Sequence, residues 1–331
     1  SSTSKDGSPP KRGRLFLSPV DSPPERSSSG GVTPGESGSI LKKPDIKNLG
    51  AGEKKDRGVE MKITVIVENF AGSWKMMAEH GLAVLAVDGG TSVLMDTGQG
   101  GDALLNNLQS LGISPGDIDH VVLSHGHFDH TGGLQKLLHR SRDIPIWAHP
   151  KVEIAHGRRE DGFVRFNGCH INREGVDFRP VEGLAQVTGN LWAVEVPLDR
   201  RDPEFVNPPS RLVVPDGEGW RPDPFPDDIS MAVKGERGLS VILGCAHAGV
   251  VNILEEVSAH FGTRDFHMVL GGMHLGDQTP EFVDRVTSEL VSRFNVEKWR
   301  PCHCTGLKAL CVLSAKAGDV AWAAAGTVLE V

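Results

Sequence analysis

Residues 124–134 read SHGHFDHTGGL, and this stretch combines histidines, an aspartate and a pair of glycines within eleven positions. His125, His127, Asp129 and His130 are four potential metal ligands directly after a short apolar run. Neutral imidazoles combined with a carboxylate suit Zn²⁺, Mn²⁺ or Fe²⁺ better than Ca²⁺. The glycine at position 126 relieves crowding between the histidines, and the glycine pair 132–133 lets a helix begin close to them. The spacing therefore predicts a metal site at the end of a buried strand, with the ligands in a near-extended turn.

Three later histidines also stand where apolar runs end. His247 follows the run 240–243, His274 follows 268–270 and His303 follows 298–301, and each has glycine nearby. One such histidine alone is more often a core residue than a ligand. Because the carboxyl ends of neighbouring strands meet at one edge of a sheet, we expect these three side chains to converge on His125.

Apolar patterns around the motifs predict strands alternating with helices. Strands are expected over residues 62–68, 81–87, 91–94, 121–123, 144–148, 229–234, 239–243, 268–270 and 297–300, and helices over 102–111, 132–139, 250–260 and 281–294. Strand pairs with interspersed helices, occurring twice, predict an α/β fold in which two sheets are sandwiched between helices. The stretch 151–228 shows no clear pattern, and residues 215–228 are interpreted as a long surface loop or lid.

The composition separates a tail from a domain. Residues 1–58 are dominated by Ser, Pro, Gly, Lys, Asp and Glu, and their few apolar residues follow neither a helical nor a strand period. Such a segment buries too little apolar surface to offset its ordering entropy, so we predict a disordered tail. The predicted domain then covers residues 59–331.

Charge and cysteine usage restrict the classes of partner and compartment. The net charge of −8 argues against nucleic acid as a partner. No stretch approaches the roughly 20 apolar residues that span a bilayer, and no secretory signal pattern is present, so no membrane partner is expected. Five cysteines in a chain of 331 residues do not indicate a disulfide framework. We therefore expect a cytoplasmic protein with a small-molecule substrate; the oligomeric state is left open.

The motifs resemble those of the metallo-β-lactamase superfamily, in which HxHxDH is followed by TGGL and the fold is an αββα sandwich. Further motifs follow one another along the chain in a set order: AEHGL at 78–82, DTG at 96–98, GCAHAGVVN at 244–252, GGMHL at 271–275 and HCTG at 303–306. Together they resemble one branch of the superfamily, which includes the 7,8-dihydropterin-6-yl-methyl-4-(β-D-ribofuranosyl)aminobenzene 5′-phosphate synthases. The resemblance covers roughly residues 60–331. Residues 155–225 match least, and substrate choice is expected there.

The resemblance implies a centre with two divalent metal ions, Zn²⁺ in the first place and Mn²⁺, Fe²⁺ or Mg²⁺ as alternatives. Asp96, about 30 residues before His125, matches the superfamily aspartate that orients a ligand histidine. Cys245 stands where other members have a bridging Asp or a metal-binding Cys, although His247 is the better ligand candidate. Asp129 and His274 are expected to be catalytic, Asp129 also as a metal ligand and His274 as a group that orients the substrate. The implied metal ligands are His125, His127, Asp129, His130, His247 and His303.

The same resemblance implies a metal-dependent enzyme, either a hydrolase or a transferase. In the synthase branch a pterin pyrophosphate condenses with an aryl partner and pyrophosphate leaves, so a phosphate-bearing substrate is expected. A first alternative is a dinuclear metal hydrolase of an ester, lactone or phosphodiester, in which the ions activate a water. A second is a non-catalytic metal-binding sensor or scaffold, against which the complete ligand set argues.

Several residues near the motifs have weaker indications. Cys302 and Cys304 flank His303, and if the strand continues they point away from it as buried thiols. Phe128 and Met273 are candidates to face a planar ring, although either is more often a core residue. Lesser candidates for binding metal or substrate are His149, Asp227 and Asp228. Basic residues that are candidates to meet a phosphate are Arg158, Arg159, Arg165, Arg200, Arg201 and Arg211.

Overall fold

The computed structural model describes residues 61–141, 143–206 and 211–331. The predicted disordered tail, residues 1–58, lies outside the described residues. Within the described ranges, no helix combines the length and the apolar character needed to cross a membrane.

Two seven-stranded sheets form the centre of this part of the chain. The first joins, in spatial order, β18 (Val328–Glu330), β1 (Lys62–Val67), β2 (Ala83–Asp88), β3 (Thr91–Met95), β4 (His120–Val122), β5 (Ile146–Ala148) and β8 (Phe178–Pro180). The second joins β17 (Asp319–Val320), β16 (Asn295–Pro301), β15 (Asp265–Gly271), β14 (Gly238–Leu243), β13 (Ile229–Gly235), β10 (Leu191–Glu195) and β9 (Leu184–Gln186). The helices are α1 (Asp102–Ser110), α2 (Phe128–Thr131), α3 (Leu134–Leu138), α4 (Val250–Phe261), α5 (Pro280–Arg293) and α6 (Leu307–Lys316).

Side chains alternate between the two faces of each strand, so each sheet packs against the other sheet on one face and against helices on the other. Ile63 of β1 packs in one buried cluster with Met231 of β13, which joins the inner faces of the two sheets. Ile66, which points to the opposite face of β1, packs with Leu104 of α1. A third buried cluster lies between the outer face of the second sheet and helices α4, α5 and α6. The predicted αββα sandwich is therefore confirmed.

Both sheets contain four neighbouring parallel strands: β3, β4, β5 and β8 in the first sheet, and β14, β15, β16 and β17 in the second. Five of them, β3, β4, β14, β15 and β16, fix where the polar motifs lie. The carboxyl ends of these strands lead into the motifs that contain Asp96, His125, Cys245, His274 and His303. The predicted convergence of strand-end residues is therefore a consequence of the topology.

A four-stranded sheet occupies much of the stretch that showed no sequence pattern. It joins β12 (Gly219–Pro222), β11 (Leu212–Asp216), β6 (Gly157–Glu160) and β7 (Phe163–Phe166). The prediction of a long surface loop over residues 215–228 was wrong, because β11 and β12 form a hairpin and Asp223, Phe225 and Asp227 behind it are buried. Arginine, proline and glycine on mostly exposed strands hide the alternation that identifies a strand. Helix α6 was also not predicted.

Candidate metal centre

Three buried histidines form the first group of donors. Nε2 of His125 lies 3.0 Å from Nδ1 of His127. His247, after β14, completes the group, in which the ligand atoms lie within 4.8 Å of one another. His127 has extended backbone angles immediately before α2, as the predicted near-extended turn requires.

A second group of donors surrounds His130. Its Nε2 lies 3.2 Å from Nε2 of His303 and 3.1 Å from Sγ of Cys245. Oδ2 of Asp129 lies 3.8 Å from Nε2 of His130 and 3.4 Å from Nε2 of His303. The helix predicted from residue 132 is preceded by α2, which begins at Phe128, so Asp129 and His130 lie on a helical turn. That turn directs their side chains away from His127 and towards the second group.

Asp96 holds the ring of His130 in place. One carboxylate oxygen, Oδ2, lies 2.7 Å from Nδ1 of His130 and accepts a hydrogen bond from Oγ of Ser124 at 2.7 Å. The other, Oδ1, accepts the backbone N–H of Ser124 at 2.7 Å. With a proton on Nδ1, the lone pair of His130 is on Nε2 and faces the other donors. This is the geometry that the orienting role predicted for Asp96 requires.

Two residues that follow β1 hold His303, and the sequence reasoning missed both. Glu68 accepts the backbone N–H of His303 at 2.7 Å, and Oδ1 of Asn69 lies 3.0 Å from its Nδ1. Glu68 is fully buried. A buried carboxylate immediately after an apolar strand was the available signal, since such a group is rare unless it is paired.

His80 is a further neighbour of the centre. Its Nε2 lies 3.2 Å from Oδ2 of Asp129, and its side chain is 60% exposed. It belongs to the AEHGL motif, to which the sequence reasoning assigned no chemical role. His80, Asp129 and His303 form another group whose ligand atoms lie within 4.8 Å of one another. His80 is therefore open to solvent, whereas the histidines of the two donor groups are buried.

The unpaired atoms of these residues fit a divalent metal ion. Among the described residues, neither ring nitrogen of His247 has a hydrogen-bond partner, and Nδ1 of His274 has none. A buried polar group without a partner costs about 1–3 kcal/mol, so such atoms are expected to have a further partner. The His247 ring stacks on Phe225 with centroids 3.8 Å apart, which limits its rotation. Imidazole, carboxylate and thiol donors together are typical of zinc sites.

Burial and neighbouring charges set the ionisation of the donors. Burial lowers the pKa of His125 and of His247 well below the usual value, and that of His127 to about 3. These three rings are therefore neutral, the form that binds metal. Burial would raise the pKa of the Asp129 carboxyl, but the nearby histidines, His130 first, hold it well below its usual range.

His130 shows the opposite balance. Burial alone would lower its pKa, but the carboxylates of Asp96 and Asp129 raise it to about 8. The ring therefore binds a proton near neutral pH, and a metal ion at Nε2 would compete with that proton.

Cys304 lies at the centre, contrary to the expectation that it points away from His303. Strand β16 ends at Pro301 and a 3₁₀ turn (His303–Thr305) follows, so the strand alternation on which the expectation rested does not continue. Its Sγ lies within 4.8 Å of the ligand atoms of Cys245 and His303. Cys302 is fully buried and packs in the core between the sheets, as expected. Burial would raise the pKa of the Cys304 thiol, but hydrogen bonds from Cys245 and His274 hold it well below its usual value.

His274 follows β15 and has a left-handed backbone, with φ of 50°. Its ring lies 4.4 Å from that of His247, centroid to centroid. His274, His247 and Cys245 form a group whose ligand atoms lie within 4.8 Å of one another. Its position at the centre is therefore established, whereas its substrate-orienting role stays a prediction.

A buried ion cluster connects the four-stranded sheet to the ligand motif. Nδ1 of His156 lies 2.6 Å from Asp223, and its Nε2 lies 3.1 Å from Oδ2 of Asp227. The same Asp227 oxygen accepts the backbone N–H of Gly126 at 2.8 Å. Burial would lower the pKa of His156, but hydrogen bonds to the two carboxylates raise it to about 10. Asp227 therefore supports the turn between His125 and His127.

The remaining candidates have structural partners. Asp228 accepts the backbone N–H of Ala248 at 2.9 Å, and burial raises the pKa of its carboxyl to about 6. Nε2 of His149 lies 3.7 Å from Glu195. Among the arginines, Arg201 donates to two backbone carbonyls and Arg200 pairs with a buried glutamate. A surface cavity is lined by the other four, Arg158, Arg159, Arg165 and Arg211.

Comparison with known proteins places the chain in a family. The family model for the metallo-beta-lactamase superfamily matches residues 77–251. An uncharacterized protein of Methanocaldococcus jannaschii, MJ0448, is 31% identical over 268 residues, which are 76% of this chain and 93% of the relative. The 7,8-dihydropterin-6-methyl-4-(beta-D-ribofuranosyl)-aminobenzene-5'-phosphate synthase of the same organism is 28% identical over 269 residues, 75% of this chain and 89% of the synthase. This chain belongs to the metallo-β-lactamase superfamily.

A solved structure supports the same assignment. Tm1679, described as a metal-dependent hydrolase of the beta-lactamase superfamily, is 29% identical, with a TM-score of 0.70 over 82% of this chain and 99% of that one. The predicted superfamily and the predicted resemblance to the synthase are therefore both confirmed.

Proposed function

We propose that this protein is a metal-dependent enzyme that holds two adjacent divalent ions and acts on a small phosphate-bearing substrate. One observation carries the proposal: two groups of buried donor atoms meet at the carboxyl ends of parallel strands from both sheets. His125, His127 and His247 would hold one ion. Asp129, His130 and His303 would hold the other. Ions at these positions supply positive charge that stabilises a developing anion.

The chain's own residues have distinct roles in this proposal. Asp96 fixes the ring of His130 through Nδ1, so that Nε2 faces the centre. Glu68 and Asn69 do the same for His303 through its backbone N–H and Nδ1. Pre-organised donors lower the reorganisation needed when negative charge develops on the substrate. The Nδ1 atom of His274, buried and unpartnered among the described residues, would orient the substrate.

The reaction we favour is the displacement of pyrophosphate from a pterin by an aryl partner. An aryl carbon or amine nitrogen forms a bond to the pterin methylene carbon, the carbon–oxygen bond to pyrophosphate breaks, and the nucleophile loses a proton. The support is the similarity to the synthase over most of the chain. The AEHGL, GCAHAG, GGMHL and HCTG motifs add to it, because their histidines and cysteines belong to overlapping groups of donor atoms.

Hydrolysis of an ester, lactone or phosphodiester is the second candidate. The observation that favours it is the similarity to Tm1679, whose description is that of a hydrolase. The same donor residues serve both reactions, because each develops negative charge on an oxygen next to the ions. The two candidate reactions therefore differ in the substrate that the protein accepts, and not in the donor residues.

The experiment combines metal analysis with a substrate panel. Protein purified without a chelator should contain about two transition-metal ions per chain. It should turn over a pterin pyrophosphate with an aminobenzene acceptor faster than lactones or phosphodiesters. Metal near zero, with no uptake of added Zn²⁺ or Mn²⁺, would refute metal dependence. Two bound ions without turnover of any substrate class would favour a sensor or scaffold.

Asp129→Asn tests the same proposal at one residue. Because it removes a ligand charge while keeping the side-chain shape, turnover should fall at least about 100-fold while the fold remains. Asp102→Asn is the matched control, since Asp102 is an exposed carboxylate that pairs with Lys136. Unchanged turnover and full metal content in Asp129→Asn would remove Asp129 from the ligand set.

A further inference from the structure

Cys304 lies among donors that converge from two distant parts of the chain. Its Sγ, the Cys245 Sγ and a ring nitrogen of His303 all lie within 4.8 Å of one another. Cys245 follows β14, whereas Cys304 and His303 lie in the turn after β16. Two donors that share a zinc ion through bonds of about 2.3 Å can be separated by at most about 4.6 Å. The spacing of these three donors is therefore comparable to that of ligands that share one ion.

The GGMHL stretch at 271–275 is built around the sulfur of Cys304. A Cβ atom at Gly272 would lie 2.5 Å from the carbonyl oxygen of Gly244 and 2.6 Å from that sulfur, so glycine leaves room for both atoms. The backbone N–H of His274, two residues further on, donates to the same sulfur at 3.2 Å. An N–H donor stabilises negative charge on sulfur, as hydrogen bonds to metal-bound ligands commonly do. The segment thus leaves room for the Cys304 sulfur at Gly272, and its N–H donor at His274 favours the thiolate form.

We propose that Cys304 is a metal ligand at the ion that His303 would hold. Cys245, His303 and Cys304 then give this ion a soft donor set with two thiolates. The proposal rests on the proposed metal-dependent function and specifies the metal class. Both sulfurs bind the ion as thiolates: Cys304 in the ionised form that its hydrogen-bond donor stabilises, and Cys245 after its thiol proton passes to solvent, with no change of oxidation state. Two thiolates favour Zn²⁺ or Cd²⁺ over Mn²⁺ and Mg²⁺, which prefer oxygen ligands.

The remaining three cysteines have surroundings unlike those expected for a metal ligand. Cys302 packs in the apolar core between the sheets, and the Cys169 thiol donates to the carbonyl oxygen of Val152. Cys311 is exposed on α6. It therefore serves as a control for the substitution of a cysteine by serine.

The experiment uses Cd²⁺ as the probe, because thiolate-to-cadmium charge transfer absorbs in the ultraviolet. The unaltered protein and the variants Cys304→Ser, Cys245→Ser and Cys311→Ser are each titrated with Cd²⁺. Each of the first two substitutions should reduce the charge-transfer absorbance by about half and the Cd²⁺ affinity by at least about tenfold. In Cys304→Ser the affinity for Mn²⁺ should change much less. Cys311→Ser should behave as the unaltered protein.

The outcomes separate this proposal from the proposed function. If the unaltered protein binds no metal, the proposed function fails. If it binds metal and Cys304→Ser keeps the full absorbance and Cd²⁺ affinity, the function stands and the Cys304 assignment is overturned. Where a serine variant does not fold, alkylation of the unaltered protein decides: Cd²⁺ should protect Cys304 from iodoacetamide, as read by mass spectrometry. Equal alkylation of Cys304 with and without bound Cd²⁺ overturns the assignment.

Discussion

The buried His156 cluster makes the stability of the domain depend on pH. His156 lies between Asp223 and Asp227, and the two carboxylates raise its pKa to about 10 against the opposing effect of burial. A folded-state pKa above the ordinary 6.5 means that the folded protein holds this proton more tightly than the unfolded chain. The contribution of His156 is therefore complete below about pH 6.5 and is lost as the pH rises through about 10.

The size of the effect follows from the pKa difference. One pKa unit corresponds to about 1.4 kcal/mol, so the change from 6.5 to about 10 represents roughly 5 kcal/mol at most. Loss of the proton at high pH leaves Asp223 and Asp227 as buried carboxylates without a cation, which is the physical source of this energy. We expect roughly 3–5 kcal/mol to be lost between about pH 6 and about pH 10.

Urea unfolding in the presence of a chelator measures this contribution. His156→Gln should be strongly destabilised at about pH 6, and its deficit in unfolding free energy relative to the unaltered protein should shrink as the pH approaches about 10. His139→Gln is the control, because His139 is exposed and its deficit should stay near zero. A deficit of His156→Gln that is the same at both pH values would refute the assignment of the proton to His156.

Changes around the ligand motif should alter stability and metal affinity in three further ways. A Cβ at Gly126 would clash with the carbonyl oxygen of Val152, so Gly126→Ala should lose about 2 kcal/mol or more in urea unfolding. Gly189→Ala, whose Cβ meets open space, should lose little; equal losses would contradict the clash. Asp96→Asn should weaken Zn²⁺ binding about 10–100-fold in competition with a chromophoric chelator, and unchanged binding would deny the orienting role. Because the His130 pKa is raised to about 8, Zn²⁺ affinity should rise at least about tenfold per pH unit between about pH 6 and about pH 8, and more steeply if a thiol also loses its proton; a flat profile would be the contrary result.

Local patterns in the sequence were sufficient for the fold class and for the main group of donors. Alternation predicted β1, because one residue step along a strand reverses the face of the side chain. Apolar runs on either side of a glycine-containing turn predicted two hairpins, β2 with β3 and β13 with β14. The HxHxDH motif placed four donors together because so few residues separate them. Both properties depend on residues that are close along the chain, so one sequence is enough to predict them.

Only the tertiary structure decided which distant residues support those donors. Glu68 meets the backbone of His303 across 235 positions of the chain, and His156 meets Asp227 across 71. No period or spacing encodes such pairs, because they arise from the order in which strands assemble into sheets. Cys304 was misjudged for a related reason: the direction of its side chain depends on where β16 stops, and the turn after Pro301 is set by packing against Gly272 and Gly276. Spacing along the chain thus determined the donors, and long-range packing determined how they are held.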